Sequence, residues 1–428
     1  MKILITGASG FIGSHLTAAL IKAGHEVVAC VRNPTLANQR WTGITAIKAD
    51  FSRGHDVNDW LPRLQEIDVV INAVGIIRET GNQTFDALHT AAPCALFKAA
   101  EQAGVSKVIQ VSALGADETA FSQYHLSKRA ADECLMGLDL DWAIVMPSIV
   151  YGPGAKSMAF FRAIAALPVV PLVDAGDQPV QPIHIDDLTK AVLLLLSPDS
   201  PKRLRIEMVG PKPISIKEIY TQLRQWLGMG KARFISIPYG FTLTAARIGG
   251  FMGNTPMTTE AVQMLRNGNT ADVTPFINQF GFTPASFEAT LSHTPSQQAG
   301  RWHAGLYFLR PLLRFAIAFL WIFTGIVSAF VFPAEQSYAM LGKAGISGIW
   351  APIMLYGAAA TDFVLGIATL MAYRLSLVGS IQTAIMLLYS VIITFSQPEQ
   401  WIHPFGPVSK NIPLIVATLM MIVLERRR

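Results

Sequence analysis

Four apolar segments close this chain, and they constrain its fold more than any other feature. They lie near residues 308–332, 348–373, 375–395 and 410–424. Each approaches the roughly 20 residues that cross a bilayer as a helix. None keeps the polar face of a water-exposed helix. The 428 residues have a mean hydropathy of +0.38, and the excess sits in this last quarter. The sequence therefore predicts a change of solvent. A water-soluble part runs to about residue 300 and an all-α bundle of four membrane-spanning helices fills 305–428, joined by the polar, turn-prone linker 292–304.

The net charge of +5 follows the same division. The basic residues form no stripe of the kind nucleic acid selects, so no nucleic-acid partner is expected. Arg301, Arg310 and Arg314 precede the first span, Arg374 lies between the second and third, and Arg426, Arg427 and Arg428 follow the fourth. The other two loops carry only Lys343 and Lys410. Positive residues collect on the cytoplasmic side. The expectation is a multi-pass protein of a bacterial inner membrane, with the soluble part and both termini cytoplasmic. Met1-Lys2 leads straight into Ile3-Leu4-Ile5, without the pattern of a cleavable signal. Cys30, Cys94 and Cys134 have no metal-ligand spacing and read as small buried apolar side chains in a reducing compartment. No metal is expected.

Strands and helices alternate through the first half, with strands at Lys2–Thr6, Glu26–Val31, Asp68–Asn72, Lys107–Ser112 and Trp142–Pro147. Helices intervene near Phe11–Ala23, Phe85–Ala103 and Gln123–Met136. The rhythm predicts a Rossmann-type, doubly wound parallel sheet over 1–150. From Tyr151 the pattern loosens, Pro and Gly recur, and helices are expected near Asp186–Leu196 and Ile216–Leu227. Residues 151–291 read as a small substrate lobe. Its apolar run of Met158, Phe160, Phe161, Ile164 and Leu167 has two readings: a lipid's berth or the core of the lobe.

The first strand runs into Thr6-Gly7-Ala8-Ser9-Gly10-Phe11-Ile12-Gly13. Gly7 permits the turn, Gly10 lets backbone approach a pyrophosphate, and Gly13 lets helix and strand pack closely. The helix N-terminus offers its free N–H groups to phosphate. The second strand ends on Arg32-Asn33, with no acidic residue for the ribose hydroxyls. A guanidinium can hold a 2′-phosphate, so NADP(H) is favoured over NAD(H). Asp50 and Phe51 are candidates for the adenine side, and Ala73, Val74 and Gly75 for the nicotinamide ribose.

Ser112 ends a strand, and Tyr124 and Lys128 follow at i and i+4 of a helix, where they share a face. A phenol tuned by an ammonium is suited to proton transfer, and the serine can hydrogen-bond a carbonyl or alcohol. In the membrane segment, Asp362 stands mid-span, where an ionisable group is expensive. It reads as a quinone, proton or headgroup contact, or as an interhelical hydrogen bond to Gln382 or Tyr389.

Residues 1 to about 230 resemble an atypical or extended short-chain dehydrogenase/reductase of the NAD-dependent epimerase/dehydratase kind. The likeness extends to the subgroup of the nucleotide-binding accessory subunit of respiratory complex I. It rests on Thr6–Gly13, Gln110–Ala116, Tyr124–Lys128, Pro147–Gly154 and Pro182–Leu188. The resemblance implies Tyr124 as general acid/base, Lys128 on the nicotinamide ribose, Ser112 polarising the substrate, and Pro147 to Val150, Ile149 among them, lining the nicotinamide pocket. Where extended members carry Asn, this chain has Leu88-His89-Thr90, which puts that relay in doubt. The tail resembles the DoxX-like four-helix membrane family.

Together these readings predict a membrane-anchored NADP(H)-dependent oxidoreductase. A carbonyl or secondary alcohol would be its substrate, on a quinone-type or isoprenoid-like lipid. The alternatives are a non-catalytic NAD(P)-binding assembly or sensor subunit of a respiratory-type membrane complex, and an NAD-dependent sugar-nucleotide epimerase/dehydratase.

Overall fold

The computed structural model describes residues 1–251 and 258–425. Arg426, Arg427 and Arg428, counted above toward topology, lie outside the described residues. Two compact units result, Met1–Ala304 and Gly305–Arg428.

In the first unit the short apolar runs become a seven-stranded sheet of β1 (Lys2–Thr6), β2 (Glu26–Val31), β3 (Ile44–Lys48), β4 (Val69–Asn72), β5 (Lys107–Val111), β6 (Asp141–Pro147) and β7 (Leu204–Met208). The order is β7-β6-β5-β4-β1-β2-β3, and every pairing is parallel. All of β4 and β5 is buried, as a sheet covered on both faces requires. One face packs on α1 (Phe11–Lys22) through Leu16 and Leu20, and on α5 (Ile185–Leu194) through Ile185 and Leu188. The other packs on α3 (Ala92–Gln102) through Leu96 and Phe97, and on α4 (Gln123–Met136) through Ala131 and Leu135. The helix α2 (Pro34–Arg40) follows β2 directly, capped by Asn33. The strand order reverses between β1 and β4, which opens a crevice at the carboxyl ends of the strands.

The expected helix over 85–103 is divided. Asp86–Ala91 is a π-helical stretch, and α3 begins only at Ala92. Pro93 has no N–H to give to the carbonyl of His89 one turn earlier, which removes an α-helical bond there. The last sheet strand, β7, and the helix α5 come from beyond residue 150, so part of the 151–291 stretch completes the sheet. The rest forms a separate apolar core around Met158, Ile164, Leu172, Ile219 and Leu223. Two parallel strands, Val170–Val173 and Phe234–Ile237, edge this lobe. The polar stretch 292–304 is largely helical: one helix ends at His293 and the next begins at Gln298.

The second unit is helical. It contains most of α6 (Gln298–Ile326, beginning in the first unit and continuing as a π-turn to Val331), with α7 (Ala334–Lys343), α8 (Trp350–Leu370), α9 (Leu375–Ser396) and α10 (Asn411–Glu425). Three of these, α6, α8 and α9, are long and apolar enough to cross a bilayer. The fourth, α10, has 15 described residues, about 22 Å of helix at ~1.5 Å per residue. Helix packing here depends on missing side chains. A methyl group at Gly366 of α8 would stand 2.7 Å from the backbone N of Ile322 on α6, and one at Gly379 of α9 would stand 2.6 Å from Ile422 on α10. Across α8 and α9, the Gln382 amide donates to Thr369 Oγ1 at 3.0 Å, both fully buried. Thr369 is therefore the partner of the Gln382 amide, in place of the Asp362 contact considered from sequence. Arg310 and Arg314 both pair with Glu425, at 2.8 and 3.6 Å. Lys343 pairs with Glu399 at 3.5 Å.

Candidate functional site

The glycine turn forms at the end of β1. Gly7 has φ +67°, a left-handed conformation, and a methyl group there would lie 2.6 Å from the Ala73 carbonyl. At Gly13 a methyl group would lie 2.1 Å from the Gly7 carbonyl, so only glycine lets α1 approach β1 so closely. At Gly10 it would meet only the Gly7 carbonyl, at 3.1 Å, with open space beyond. Ser9 and Gly10 are exposed, and α1 starts at Phe11. The N–H groups of Phe11 and Ile12 therefore have no partner within the helix. This cradle fits a dinucleotide pyrophosphate on the observation that side chains would fill it. Phe11 stacks edge-on with His15, whose Nε2 lies 3.0 Å from the Pro153 carbonyl and ties α1 to the 152–154 turn.

Arg32 is exposed at the end of β2, just before Asn33, whose side chain accepts the Leu36 N–H at 3.3 Å. Asp50 follows β3 and accepts from the Ser52 hydroxyl (2.8 Å) and N–H (3.0 Å). The Ser52 hydroxyl holds its carboxyl below the usual carboxylate range. Phe51 is buried, with its ring 5.0 Å from Trp60. The side chains of Asp50 and Phe51 are thus engaged in a turn and a core.

Ala73, Val74 and Gly75 follow β4 beside the glycine turn. Lys128 reaches them from α4: its ammonium donates to the Val74 and Val111 carbonyls, each at 3.0 Å, and a methyl group at Gly75 would lie 3.4 Å from Nζ. Tyr124 sits one turn earlier on the same helix, within ring contact of Phe85 (6.1 Å), His89 (5.4 Å) and His125 (5.3 Å). Pro147 is buried at the end of β6, and the Ile149 N–H donates to Asn269 Oδ1 at 3.1 Å. The structure thus brings Gly7–Gly13, Ala73–Gly75, Ser112, Tyr124 and Lys128 to the carboxyl-end side of the central strands β1, β4 and β5.

Three further residues stand in this site. Asp132, one turn beyond Lys128 and 1% exposed, accepts the Ser112 hydroxyl proton. Burial raises its carboxyl pKa, while Ser112 and Lys128 act the other way. Burial lowers the Lys128 pKa, and Asp132 opposes that. Tyr124 is pushed up to about 12, by burial and then by Asp132. The spacing Tyr124, Lys128, Asp132 was readable as one helical face. A polar chain continues behind it, from the Thr6 hydroxyl to Asn72 Oδ1 (2.6 Å) and from the Asn72 amide to Gln110 Oε1 (2.7 Å).

His89 is the second. Its Nε2 accepts the Ile76 N–H at 2.9 Å, so the proton resides on Nδ1, 2.9 Å from Ser127 Oγ. That hydroxyl donates to the Tyr124 carbonyl at 2.9 Å. Burial lowers the imidazole pKa to about 2, with Lys128 adding to the effect. A neutral ring with both nitrogens engaged is a brace between the 73–76 loop and α4 and carries no proton relay. The third is Glu260, whose carboxylate accepts the Gln123 N–H at 3.1 Å beside Tyr124.

Residues 3–206 match the NAD dependent epimerase/dehydratase family, and residues 318–419 match the DoxX-like family. The chain joins an epimerase/dehydratase-type domain to a DoxX-like domain. The first is an NAD(P)-binding domain, and the second, with its three long apolar helices, makes the chain a membrane protein. A ceramide reductase of Caulobacter vibrioides is 31% identical over 188 residues, covering 43% of this chain and 57% of that one. The NADH dehydrogenase [ubiquinone] 1 alpha subcomplex subunit 9 of Arabidopsis thaliana is 26% identical over 263 residues, covering 58% and 63%. The chain therefore spans less than two thirds of either relative. Among solved structures, an NADPH-dependent quinone oxidoreductase of Escherichia coli complexed with NADPH superposes with a TM-score of 0.55 at 20% identity, covering 68% of this chain and 99% of that one. At that identity the likeness is one of fold.

Proposed function

We propose that the epimerase-type domain is an NADP(H)-dependent oxidoreductase for a carbonyl or secondary alcohol on a lipid-soluble molecule, held at its substrate's bilayer by the DoxX-like domain. The observation that carries this reading is the convergence of Tyr124, Lys128 and Ser112 on the carboxyl-end side of the strands, where the glycine turn lies, in a chain with membrane helices. The bound nicotinamide would supply or take hydride at its C4. Tyr124, protonated at neutral pH, is suited to give its proton to a carbonyl oxygen. Lys128 is placed to hold the nicotinamide ribose. Because the Ser112 hydroxyl donates its hydrogen bond to Asp132, its oxygen is left to accept a hydrogen bond from a substrate hydroxyl. Met158 and Ile164 are buried in the lobe core, so an apolar chain finds a better berth at Ile77 (58% exposed) and Phe121 (46% exposed). Ile77 follows the Ile76 that His89 binds, and Phe121 lies 5.9 Å from His125. A quinone-type or isoprenoid-like substrate is consistent with that mouth, as is the sphingolipid chemistry in the name of the ceramide reductase. The test is NADPH oxidation by the full-length protein in detergent, with fractions of a membrane lipid extract. A lipid fraction is expected to support turnover; if none does, the oxidoreductase reading fails.

Arg32 supports NADP(H), and Gly7, Ser9, Gly10, Phe11, Ile12 and Gly13 would carry the pyrophosphate. A charge-assisted pair with a 2′-phosphate contributes about 1.5–3 kcal/mol, roughly a 10- to 100-fold preference. Arg32→Ala is expected to remove most of it while leaving NADH affinity nearly unchanged. Equal affinities for the two cofactors in the unmutated protein, by fluorescence titration, would defeat the assignment.

We also read both ends of the DoxX-like domain as cytoplasmic, with α10 as a fourth crossing. The Arg310 and Arg314 pairs to Glu425 join the start of the first span to the end of the last. Lys343 and Glu399 join the two opposite loops.

A second reading has its own support. Asp132 sits beside Lys128, and burial, then Asp132, hold the Tyr124 pKa high, which works against a reactive phenolate, and the Arabidopsis relative is a complex subunit by name. On that reading the domain binds nucleotide as an assembly or sensor subunit without turnover, and cofactor binding with no lipid-dependent oxidation is its signature.

A further inference from the structure

Between Glu218 and Glu260 the chain carries no acidic residue and four basic ones, Arg224, Lys231, Arg233 and Arg247. This run supplies an outer edge of the lobe. Its strand Phe234–Ile237 pairs in parallel with Val170–Val173, Phe234 opposite Val170 and Ile235 opposite Pro171. Side chains alternate across a strand. Val170 is fully buried and Phe234 packs on the lobe core, so Pro171 and Ile235 lie on the outer face. The Val170 N–H donates to the Arg233 carbonyl at 2.8 Å. That bond continues the register and sets Val169 and Arg233 on the same outer face. Ile235 is 52% exposed and Val169 46%. Phe241 follows in the first turn of the helix Tyr239–Phe251. At 72% it is the most exposed large apolar side chain among the described residues of the first unit.

Scattered exposed apolar residues are ordinary; here they share an edge with cations. Lys231 and Arg233 are exposed, and neither forms an ion pair among the described residues. The Arg266 guanidinium lies 4.4 Å from the centre of the Tyr239 ring and adds a further positive charge. Asp174 is an acid on this edge, and its carboxylate accepts the Tyr239 N–H at 3.0 Å.

We propose that this face is a second membrane contact, with Val169, Ile235 and Phe241 entering the headgroup layer of an anionic phospholipid bilayer and Lys231 and Arg233 meeting its phosphates. Interfacial binding of this kind scales with the apolar area buried plus the attraction of basic residues to anionic lipid. That attraction falls away within a Debye length of the surface. Three apolar side chains and two or three cations would hold a free protein only weakly. The DoxX-like domain changes this, because a tethered unit meets the bilayer at high effective concentration, and a weak patch then suffices. The sign of the charge selects anionic over zwitterionic lipid. The contact is independent of the redox chemistry proposed above and would stand equally if the domain only bound nucleotide.

The test uses full-length protein reconstituted in phosphatidylcholine vesicles with and without phosphatidylglycerol, each doped with a phospholipid that carries a diazirine in its headgroup. After irradiation, labelled tryptic peptides are counted by mass spectrometry over residues 225–247, bounded by Arg224 and Arg247. Labelling there is expected to be about 5-fold stronger with phosphatidylglycerol, the attraction of about one basic residue, and to fall back in high salt. Phe241→Asp, and separately Lys231→Gln with Arg233→Gln, are each expected to lower it about 5-fold or more. Because these side chains are exposed, the melting temperature and the labelling of membrane-unit peptides should stay as in the parent. Equal labelling in the two kinds of vesicle, or labelling that survives both variants, would overturn the proposal. So would a segment that lipid never labels but whose amides exchange slowly in native membranes alone, which would assign the face to a protein partner.

Discussion

Tyr124→Phe is expected to lower lipid-dependent NADPH oxidation by about 10²- to 10⁴-fold, the usual contribution of a positioned acid/base, and to leave cofactor affinity unchanged. The phenol oxygen is the only atom removed. The ring keeps its contacts with Phe85, His89 and His125, so the helix and the glycine turn have no reason to move. The sign of the pH dependence follows from the electrostatics of the face. Tyr124 is pushed up to about 12, so the proton needed for carbonyl reduction is present at neutral pH and above. Lys128 is shifted down by burial, so it is the first of the pair to lose its proton as pH rises. Reduction is then expected to decline on the alkaline side while Tyr124 is still protonated. A rate in Tyr124→Phe equal to the parent's, by NADPH absorbance in matched detergent, would remove the tyrosine from the chemistry and favour the non-catalytic subunit.

Gly13→Ala is expected to be the most damaging small substitution in the soluble unit. Its new methyl group would stand 2.1 Å from the Gly7 carbonyl and 3.1 Å from the Ala8 Cα, and backbone cannot give way as a side-chain tip does. Overpacking of this kind costs about 3 kcal/mol or more, and α1 would have to lift from β1, carrying the phosphate-facing N–H groups with it. A large fall in melting temperature and loss of NADPH binding are expected together. Gly10→Ala separates the two effects. Its methyl group meets one carbonyl at 3.1 Å, so melting should change little, while binding weakens because the group occupies the pyrophosphate's approach. Unchanged melting in Gly13→Ala would show that α1 does not rest on the strand as described.

The parts of the site legible in the sequence are those set by local spacing. The glycine turn follows from three positions between a strand and a helix, and Tyr124 and Lys128 follow from one helical turn. Asp132 continued the same four-residue step and went unread, because a lone acid on a helix is ordinarily solvated. His89 was visible only as a departure from a family pattern. Its role as a brace depends on the Ile76 N–H and Ser127, which tertiary folding supplies. The π-helical stretch before α3 left one trace, Pro93. The pairing of Val170–Val173 with Phe234–Ile237 joins segments far apart in the chain, where no period or propensity carries a signal. In the membrane unit the apolar lengths located α8, α9 and α10 to within a few residues, but α6 starts ten residues before its expected span, and they did not reveal α7 or Thr369 as the partner of Gln382.

The glycine contacts between α6 and α8, and between α9 and α10, have a mechanical consequence. At Gly366 the α8 backbone lies against the α6 backbone, and at Gly379 the α9 backbone lies against the Ile422 side chain of α10, so collision opposes rotation or sliding within each couple. Between α8 and α9, the buried side-chain bond seen among the described residues runs from Gln382 to Thr369.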